Sequence, residues 1–239
     1  MDAKPALVRP CLANDIDTYV ALWTTRLSIK LSSAFNQLNE NFYADDLRSM
    51  IGLTPKDGKL NRIETRVLLR TRVDELAERI PQQPIRLQRN IAMLGDLLGF
   101  DATQCEIIVF VAIMQEHPCL SDFIENIRLG SIEAIGKTLA AALCRRELEI
   151  KRALRRDGNL LGTRVLSVER VPNGIGSTLN MPVPLQNALF SAADDLNQLM
   201  AAFLEVAPKA KLTGDAFPHL GDETALLSAY QPPTGKGSP

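Results

Sequence analysis

The first long pattern of apolar positions begins at Val20, from which apolar side chains recur every three or four residues. That spacing places them on one face of a helix. Asn14 and Asp15 have short polar side chains, which accept hydrogen bonds from the exposed amides of a first helical turn. The sequence therefore predicts a helix over Asn14–Leu47. Residues 1–11 have no such period and are predicted to form a loose arm.

A second helix is predicted over Lys59–Ile80, after a break in which glycine and proline alternate. Pro81 and Pro84 follow it, and proline ends a helix because it lacks an amide proton and clashes with the preceding turn. The apolar residues expected to be buried are Ile63, Val67, Val73, Leu76 and Ile80. The residues expected on the opposite face are Arg62, Arg66, Arg70, Arg72, Glu75 and Arg79.

Two further helices are predicted around Gly99. Glycine adopts the left-handed conformation of a helix C-cap, so Gly99 is expected to end the first of them. Its apolar stripe is Leu87, Ile91, Leu94 and Leu98. The run IIVFVAIM that follows fits a buried strand by itself, but two capping boxes precede it and favour a fully buried helix. The paired residues are Asp101 with Gln104 and Thr103 with Glu106.

A helix-turn-helix followed by a β hairpin is predicted in the second half of the chain. The first helix is expected over Ser131–Leu143 and the second over Glu147–Leu154, joined by a tight break that no glycine marks. Valine and leucine are then frequent in Leu160–Val171, and a turn-forming Pro-Asn-Gly separates this segment from Thr178–Val183. This order of elements is that of a winged helix-turn-helix, with Leu160–Val183 as the wing.

The predicted fold class is mainly α, a helical bundle with a winged-helix-like unit that carries a small β hairpin. Residues 1–84 are expected to form a helical N-terminal part. Residues 85–206 are expected to form a helical and winged-helix-like domain, which includes one more helix over Leu185–Glu205. Residues 207–239 are expected to be a linker and a disordered tail, because they have no apolar period and end in a segment rich in proline and glycine.

The composition is that of an ordinary globular protein. The 239 residues are 46% apolar and 23% charged, with a formal net charge of −1. So much apolar material excludes wholesale disorder, and so little net charge gives no general attraction to nucleic acid. The longest apolar run, Ile107–Met114, is far shorter than the roughly 20 residues of a membrane-spanning helix. With no recognisable signal peptide and no C-x-x-C pair, the expected location is the reducing cytoplasm, without membrane association.

One segment is nevertheless strongly basic, on and beside the second helix of the predicted winged unit. We call it the basic cluster: Arg145, Arg146, Lys151, Arg152, Arg155 and Arg156. In DNA-binding winged helices that helix enters the major groove, where cationic side chains neutralise phosphates. Glu147 and Glu149 oppose this function, and a solvated helix face with ion pairs explains the cluster equally well. The basic cluster is a candidate contact with nucleic acid or with a protein partner.

No catalytic residue and no metal ligand are predicted in this chain. His117 and His219 are far apart in sequence, and neither has cysteine or carboxylate neighbours at metal-ligand spacing. Neither lies in a setting typical of nucleophilic catalysis. The carboxylate pairs at 45–46 and 194–195 are adjacent in sequence, and adjacent residues point to different sides of a helix.

No cofactor-binding residue is predicted either. The terminal PPTGKGS is similar to part of a phosphate-binding loop, whose pattern is G-x-x-x-x-G-K-[ST]. Tyr230 stands where the first glycine is needed, and Gly237 stands where serine or threonine is needed. The segment does not meet the requirements for binding a nucleotide in that mode.

From Asn90 onward the sequence resembles the region that precedes the ATPase module in a group of bacterial AAA+ ATPases. Three elements in the same order carry the resemblance over roughly residues 90–230. The first, which leads into a buried helix, matches at Asn90, Leu94, Leu97, Leu98, Gly99, Phe100, Glu106 and Ile107. The second, a hairpin element, matches at Asp157, Leu160, Leu161, Val165, Leu166 and Val168. The third, an FPHL element, matches at Leu212, Thr213, Asp215, Phe217, Pro218, His219 and Leu220.

The resemblance implies a non-catalytic N-terminal module that recognises a protein partner or substrate and couples it to ATP-driven remodelling. In the family the FPHL element comes just before the ATPase core, and this sequence contains no such core. ATP and Mg²⁺ would therefore belong to a core outside this chain, and ATPase activity is expected only if the native protein continues into one. A fragment of a longer ATPase, a truncated gene and a stand-alone relative all remain open.

The wing and the predicted helix Leu185–Glu205 are the expected surfaces for a protein partner. The alternative function is a winged-helix nucleic-acid-binding protein that uses the basic cluster. An enzyme with an unrecognised site is a third hypothesis.

Overall fold

A computed structural model of the chain describes residues 6–40, 44–54, 62–127, 131–155, 158–168 and 179–202. Within these residues the fold is mainly α, as predicted, with two small antiparallel strand pairs, β1 with β2 and β3 with β4. The helices are α1 (Asp15–Lys30), α2 (Ser32–Glu40), α3 (Ala44–Ile51), α4 (Arg62–Arg79), α5 (Arg86–Leu98), α6 (Ala102–Glu116), α7 (Pro118–Asn126), α8 (Ile132–Leu143), α9 (Glu147–Ala153), α10 (Asn159–Gly162), α11 (Val183–Phe190) and α12 (Leu196–Ala201). The strands are β1 (Ala6–Leu7), β2 (Leu53–Thr54), β3 (Ser167–Val168) and β4 (Leu179–Asn180).

The long helix predicted over Asn14–Leu47 is in fact three helices, α1 to α3. Its start is confirmed, because Asn14 caps α1 by accepting a hydrogen bond from the amide of Asp17 at 3.0 Å. The extended backbone of Leu31, with φ −111° and ψ 126°, separates α1 from α2. Apolar residues keep their three- and four-residue spacing on both sides of this break, so the period could not show it.

α4 turns a different face to the core from the predicted one. Ile63 and Val67, which were expected to be buried, are 77% and 59% exposed. The buried residues of this helix are Thr65, Leu69, Arg72 and Leu76. These four also follow a helical period, so the predicted helix is confirmed but the predicted orientation of its first half is wrong. Arg72 can lie on the buried face because Nη1 and Nη2 of its guanidinium have hydrogen-bond partners, Glu75 and the carbonyl of Val8.

The predicted loose arm is held in place where the structure describes it. β1 pairs with β2, and Arg72 of α4 donates to the carbonyl of Val8 at 2.6 Å and to Glu75 at 2.6 Å. Gly52, between α3 and β2, has φ +71°, and a Cβ there would overlap the carbonyl oxygen of Val8. The prediction of a loose arm is therefore wrong for these residues, because the contacts that fix them are polar and distant in sequence.

The helix pair around Gly99 is confirmed. Gly99 ends α5 with φ +69°. Asp101 and Gln104 form the predicted capping box at the start of α6, with bonds of 2.8 and 2.9 Å in the two directions. α6 is a helix and not a strand, and its segment Ile107–Met114 is buried throughout. The chemistry of the caps therefore decided correctly between the two structures that the apolar run allowed.

The predicted helix-turn-helix is present as α8 and α9. Ser131 caps α8, and Cys144 ends it in the left-handed conformation with φ 55°. The prediction of strand over Leu160–Val171 is wrong at its start, because the first residues of this segment belong to the single helical turn α10. Within the described residues of this segment the strand is β3, which pairs with β4. Residues 169–178, which make up much of the predicted wing, lie outside the described residues. The structure shows α8, α9 and the β3–β4 pair, and the winged-helix unit stays a prediction.

The helix predicted over Leu185–Glu205 is interrupted, and its described part is α11 followed by α12. Asp195 starts α12 by accepting a hydrogen bond from the amide of Gln198 at 2.8 Å. Between the two helices the hydroxyl of Ser191 donates to the carbonyl of Ala188 at 2.7 Å. Such local side-chain bonds compete with helical hydrogen bonds. They end α11 at Phe190, although the helical spacing of apolar residues continues beyond this residue.

The described helices share one core. α1 packs against α4 and also against α8, so elements from both sides of the predicted boundary at residues 84/85 meet. The compact unit that contains them extends over residues 1–203, and the predicted linker and tail lie outside the described residues. In this part of the chain no single helix has the length and apolar composition to cross a membrane, and the one consecutive pair that would reach it together, α6 with α7, is bent by 103°.

Candidate functional site

The basic cluster lies at the turn between α8 and α9 and along α9. The turn is tight because the amides of Cys144 and Arg145 both donate to the carbonyl of Ala140. This arrangement satisfies the end of α8 in the way that usually requires a glycine. α9 then starts at Glu147, so the cluster is held on a short, fixed connection.

Two cations of the basic cluster are paired with carboxylates. Arg145 forms a two-pronged ion pair with Glu106 of α6, with 2.8 Å between Nε and Oε2 and 2.6 Å between Nη2 and Oε1. Hydrogen bonding to Glu106 and its charge raise the pKa of Arg145 above the ordinary value. Lys151 lies 3.9 Å from Glu147, one helical turn away. The charge of the cluster is thus partly neutralised within the protein.

The other members of the basic cluster differ in their surroundings. Arg146 and Arg152 are exposed, and no described carboxylate forms an ion pair with either. Arg155 is exposed but has an interaction partner. Arg156 lies outside the described residues. The cluster therefore does not present six free cations, which weakens its case as a phosphate-binding surface and favours the solvated, ion-paired helix face.

An apolar groove of about 350 Å³ lies beside the β3–β4 pair. Its walls come from α5, the turn between α10 and β3, the start of α11, and α12. We call it the α5–α11 groove, and it is lined by Leu94, Leu97, Leu98, Thr163, Arg164, Val165, Pro182, Pro184, Leu185 and Met200. Leu97 in its wall is 49% exposed, and Val183 between its two prolines is 63% exposed. Exposed apolar side chains around a concave surface are typical of binding sites.

A buried asparagine fixes the two facing walls of the groove. The side-chain amide of Asn90 in α5 donates to the carbonyls of Leu189 at 2.9 Å and Ser191 at 3.0 Å. Both carbonyls are at the C-terminal end of α11, where no helical amide is available to them. This role of Asn90 is not among those predicted from the sequence, although a polar residue between Leu87 and Leu94 of an apolar stripe is a usable indication.

The start of α11 and the hairpin are tied to the end of α6. The side chain of Gln115 donates to the amide oxygen of Asn180 at 2.6 Å and accepts from the backbone amide of Met181 at 3.2 Å. Gln186 donates to Glu116 at 3.2 Å. These bonds hold the segment that carries both prolines of the groove. No sequence pattern indicates these bonds, because the side-chain amide of a glutamine at a helix end can bond to many different donors and acceptors.

Arg164 is the charged residue of the groove lining. Its backbone is left-handed, with φ 59°, which is uncommon for a residue other than glycine. Among the described residues, no carboxylate forms an ion pair with its guanidinium. The groove therefore offers an apolar floor with one cation at its edge.

The described residues form no catalytic or metal-binding cluster that we recognise. Nε2 of His117 lies 3.5 Å from Oδ1 of Asp17, and Asp45 pairs with Arg48 at 2.7 Å. Asp195 is occupied as the cap of α12. No group of three or more His, Cys, Asp or Glu in this part of the chain is arranged to hold a metal ion. The second histidine, the FPHL element and the terminal PPTGKGS lie outside the described residues.

No protein-family model, no curated protein and no solved structure matches this chain. Its own architecture defines a mainly α-helical protein with two small strand pairs, an apolar groove beside the second pair, and a helix-turn-helix with partly paired basic residues.

Proposed function

We propose that this chain is the N-terminal module of an AAA+ ATPase and that it recognises a protein partner through the α5–α11 groove. The observation that carries the proposal is the groove itself: an apolar concavity with the exposed Leu97 in its wall and the exposed Val183 between its two prolines. Apolar surface in water is unfavourable by about 25 cal/mol per Å². A partner that covers these side chains gains that free energy on binding.

The chemistry of the groove indicates what kind of partner it takes. Apolar anchors from one amphipathic segment would fill the floor formed by α5 and α11. Arg164 at the edge would pair with an acidic residue of the same segment. The walls are fixed by Asn90 and by the bonds of Gln115, so the partner meets a surface that is already in its binding shape, which reduces the entropic cost of binding.

The AAA+ part of the proposal is supported by the order of the three sequence elements and by where the first two lie. The first element forms α5, the Gly99 turn and the start of α6. It supplies Asn90 and the groove residues Leu94, Leu97 and Leu98. The second element supplies Val165. Four of the ten residues that line the groove thus come from the elements that carry the resemblance, as expected if the groove is the functional surface of the module.

The recognition function is tested by cross-linking and by matched variants. A photo-reactive amino acid at position 183 should capture the partner in the native cell, and one at position 148, on α9, should not capture it. The affinity for the captured partner is then measured with Leu97→Asp and with Leu148→Asp. Leu148 is 58% exposed and Leu97 is 49% exposed. Because the two side chains are exposed to a similar extent, Leu148→Asp is a control for the same chemical change. Equal loss of affinity in both variants would contradict recognition by the groove.

The AAA+ assignment is tested by the intact mass of the native gene product and by its reading frame past Pro239. The proposal predicts a protein heavier than 26.3 kDa with a genuine phosphate loop. The 239 residues alone are expected not to hydrolyse ATP. Hydrolysis by these residues, or a native product of 26.3 kDa, would contradict the proposal that the module belongs to the same chain as the core.

A second function, nucleic-acid binding by a winged helix, is favoured by one observation. α8, α9 and the β3–β4 pair follow one another in the order of that fold, and Arg146 and Arg152 are exposed on it. This function predicts retention on DNA that weakens steeply with salt, and loss of affinity in Arg152→Glu. DNA binding without salt dependence, or no binding at all, would exclude it.

A further inference from the structure

A pocket separate from the α5–α11 groove opens between α1, α5, α6 and the end of α8, and it encloses about 300 Å³. Tyr19 and Trp23 of α1 form part of its wall, with 5.6 Å between their ring centroids. Leu22 and Val109 add aliphatic surface. An aromatic and aliphatic wall of this kind favours a ligand with an apolar body.

Arg26 supplies a polar end to this pocket. Its Nη1 donates to the carbonyl of Ala142 at 3.0 Å, and no described residue accepts a hydrogen bond from its Nε or Nη2. Burial lowers the pKa of Arg26, while Cys144 and Glu106 act in the opposite direction. The guanidinium has therefore lost part of its hydration and keeps unused donors, a state in which a bound anion is favourable.

Glu106 is the other charged residue of the pocket lining, and it is already engaged. Both of its carboxylate oxygens are bound by Arg145, at 2.8 and 2.6 Å. Glu106 is thus the carboxylate of the pocket lining, and Arg145 already neutralises it. This corner of the pocket keeps an excess positive charge next to an apolar wall.

We propose that this pocket binds a small organic carboxylate with an apolar, ring-sized body. Arg26 pairs with the carboxylate, and the wall formed by Tyr19 and Trp23 packs against the body. A cationic ligand would be repelled by Arg26. A neutral ligand would fill the apolar part but leave the arginine donors without a charged acceptor. This inference does not depend on the function proposed for the groove.

The pocket contains its own reporter, because Trp23 is the single tryptophan of the chain. The folded protein is titrated with phenylacetate, and with phenylacetamide as the uncharged match, while tryptophan emission is recorded. The expected result is a saturable change with phenylacetate and a dissociation constant for the amide that is roughly 10- to 100-fold higher. Equal affinity for the two probes, or no saturable change up to about 10 mM phenylacetate, would overturn the proposal.

Variants then assign the binding to Arg26. Arg26→Gln keeps a donor for the carbonyl of Ala142 but removes the charge. The variant should therefore bind phenylacetate only as tightly as the wild type binds phenylacetamide. Arg152→Gln, at an exposed arginine of α9, should leave the affinity unchanged, and far-UV circular dichroism checks that both variants fold. Arg26→Lys keeps the charge with fewer donors and should lose less. Unchanged affinity in Arg26→Gln, or equal loss in Arg152→Gln, would also overturn the proposal.

Discussion

Replacing Asn90 by leucine is the sharpest test of how the groove is held. The leucine side chain has a similar volume but no hydrogen-bond donor. Asn90 is 1% exposed, and its amide donates to two carbonyls of the α11 end. Asn90→Leu leaves the carbonyls of Leu189 and Ser191 without this partner. The change therefore acts on the contact between α5 and α11 and does not alter any residue that lines the groove.

The size of the effect follows from the burial of the two bonds. The bond to Leu189 is buried, and the bond to Ser191 is partly buried. A buried acceptor left unsatisfied costs about 1–3 kcal/mol, and a partly buried one costs less because water reaches it. We expect Asn90→Leu to lower the free energy of unfolding by about 2–4 kcal/mol. With an ordinary urea dependence this lowers the urea midpoint by about 1–2 M.

The assay is urea unfolding followed by far-UV circular dichroism, with hydrogen exchange to locate the change. Asn187→Leu is the matched control, because Asn187 is exposed on α11 itself and the chemical change is the same. The control should stay within about 0.5 kcal/mol of the wild type. Asn90→Leu should speed amide exchange more in α11 than in α1, because α11 also loses the local bonds that hold its end. Equal stability of the two variants, or unaltered exchange in α11, would refute the reasoning.

Three further substitutions test packing and backbone conformation, each by urea unfolding. Gly95→Ala should lower the free energy of unfolding by about 1–3 kcal/mol, because the new Cβ would lie 2.8 Å from Sγ of Cys105. Adding Cys105→Ala to the same chain should recover part of this loss. No recovery would show that the contact with Cys105 is not the cause. Cys144→Gly should raise the free energy of unfolding by about 0.5–1 kcal/mol, since the backbone of Cys144 is left-handed. Ala141→Gly, within α8, should lower it by about 1 kcal/mol. A change in the same direction in both variants would contradict this expectation. Gly52→Ala should cost more than about 2 kcal/mol, because φ is +71° and the Cβ meets a backbone carbonyl that cannot move freely; a neutral result would show that the arm is not fixed there.

The parts of the fold that the sequence predicted well are those set by neighbouring residues. Asn14, Asp101 and Ser131 cap their helices as expected, and Gly99 ends α5. A cap joins a side chain to an amide three positions away, so its whole chemistry is visible in a short stretch of sequence. The same local chemistry correctly favoured a helix for the apolar run of α6.

The failures have long-range causes. Arg72 is buried because it bonds the carbonyl of Val8, 64 residues away, and this contact helps turn the first half of α4 away from its apparent apolar face. The breaks at Leu31 and Ser191 interrupt patterns whose apolar spacing continues on both sides. The hydrophobic period indicates which residues of a helix prefer to be buried. It does not indicate which distant residue can form contacts that make a different face of the helix the buried one.

The candidate site was only partly visible in the sequence. The expected partner surfaces, the wing and the last long helix, include Val165 and Leu185 of the groove. Met200 of α12 also belongs to that predicted helix, so the wall that was not predicted is the one from α5, which only folding brings to the others. The basic cluster was identified from charge alone, but the neutralisation of Arg145 depends on Glu106, 39 residues earlier in the chain. Sequence reveals the charges, and only the structure reveals which of them are already paired.

Recognition through the α5–α11 groove is best tested by ATP hydrolysis by the native protein in the presence of the partner captured at the groove. Rates are measured for the wild type, Leu97→Asp and Leu148→Asp, with and without that partner. We expect the partner to change the hydrolysis rate of the wild type and of Leu148→Asp, and we expect this response to be lost in Leu97→Asp. A response that persists in Leu97→Asp, or that is lost equally in both variants, would contradict recognition through the α5–α11 groove.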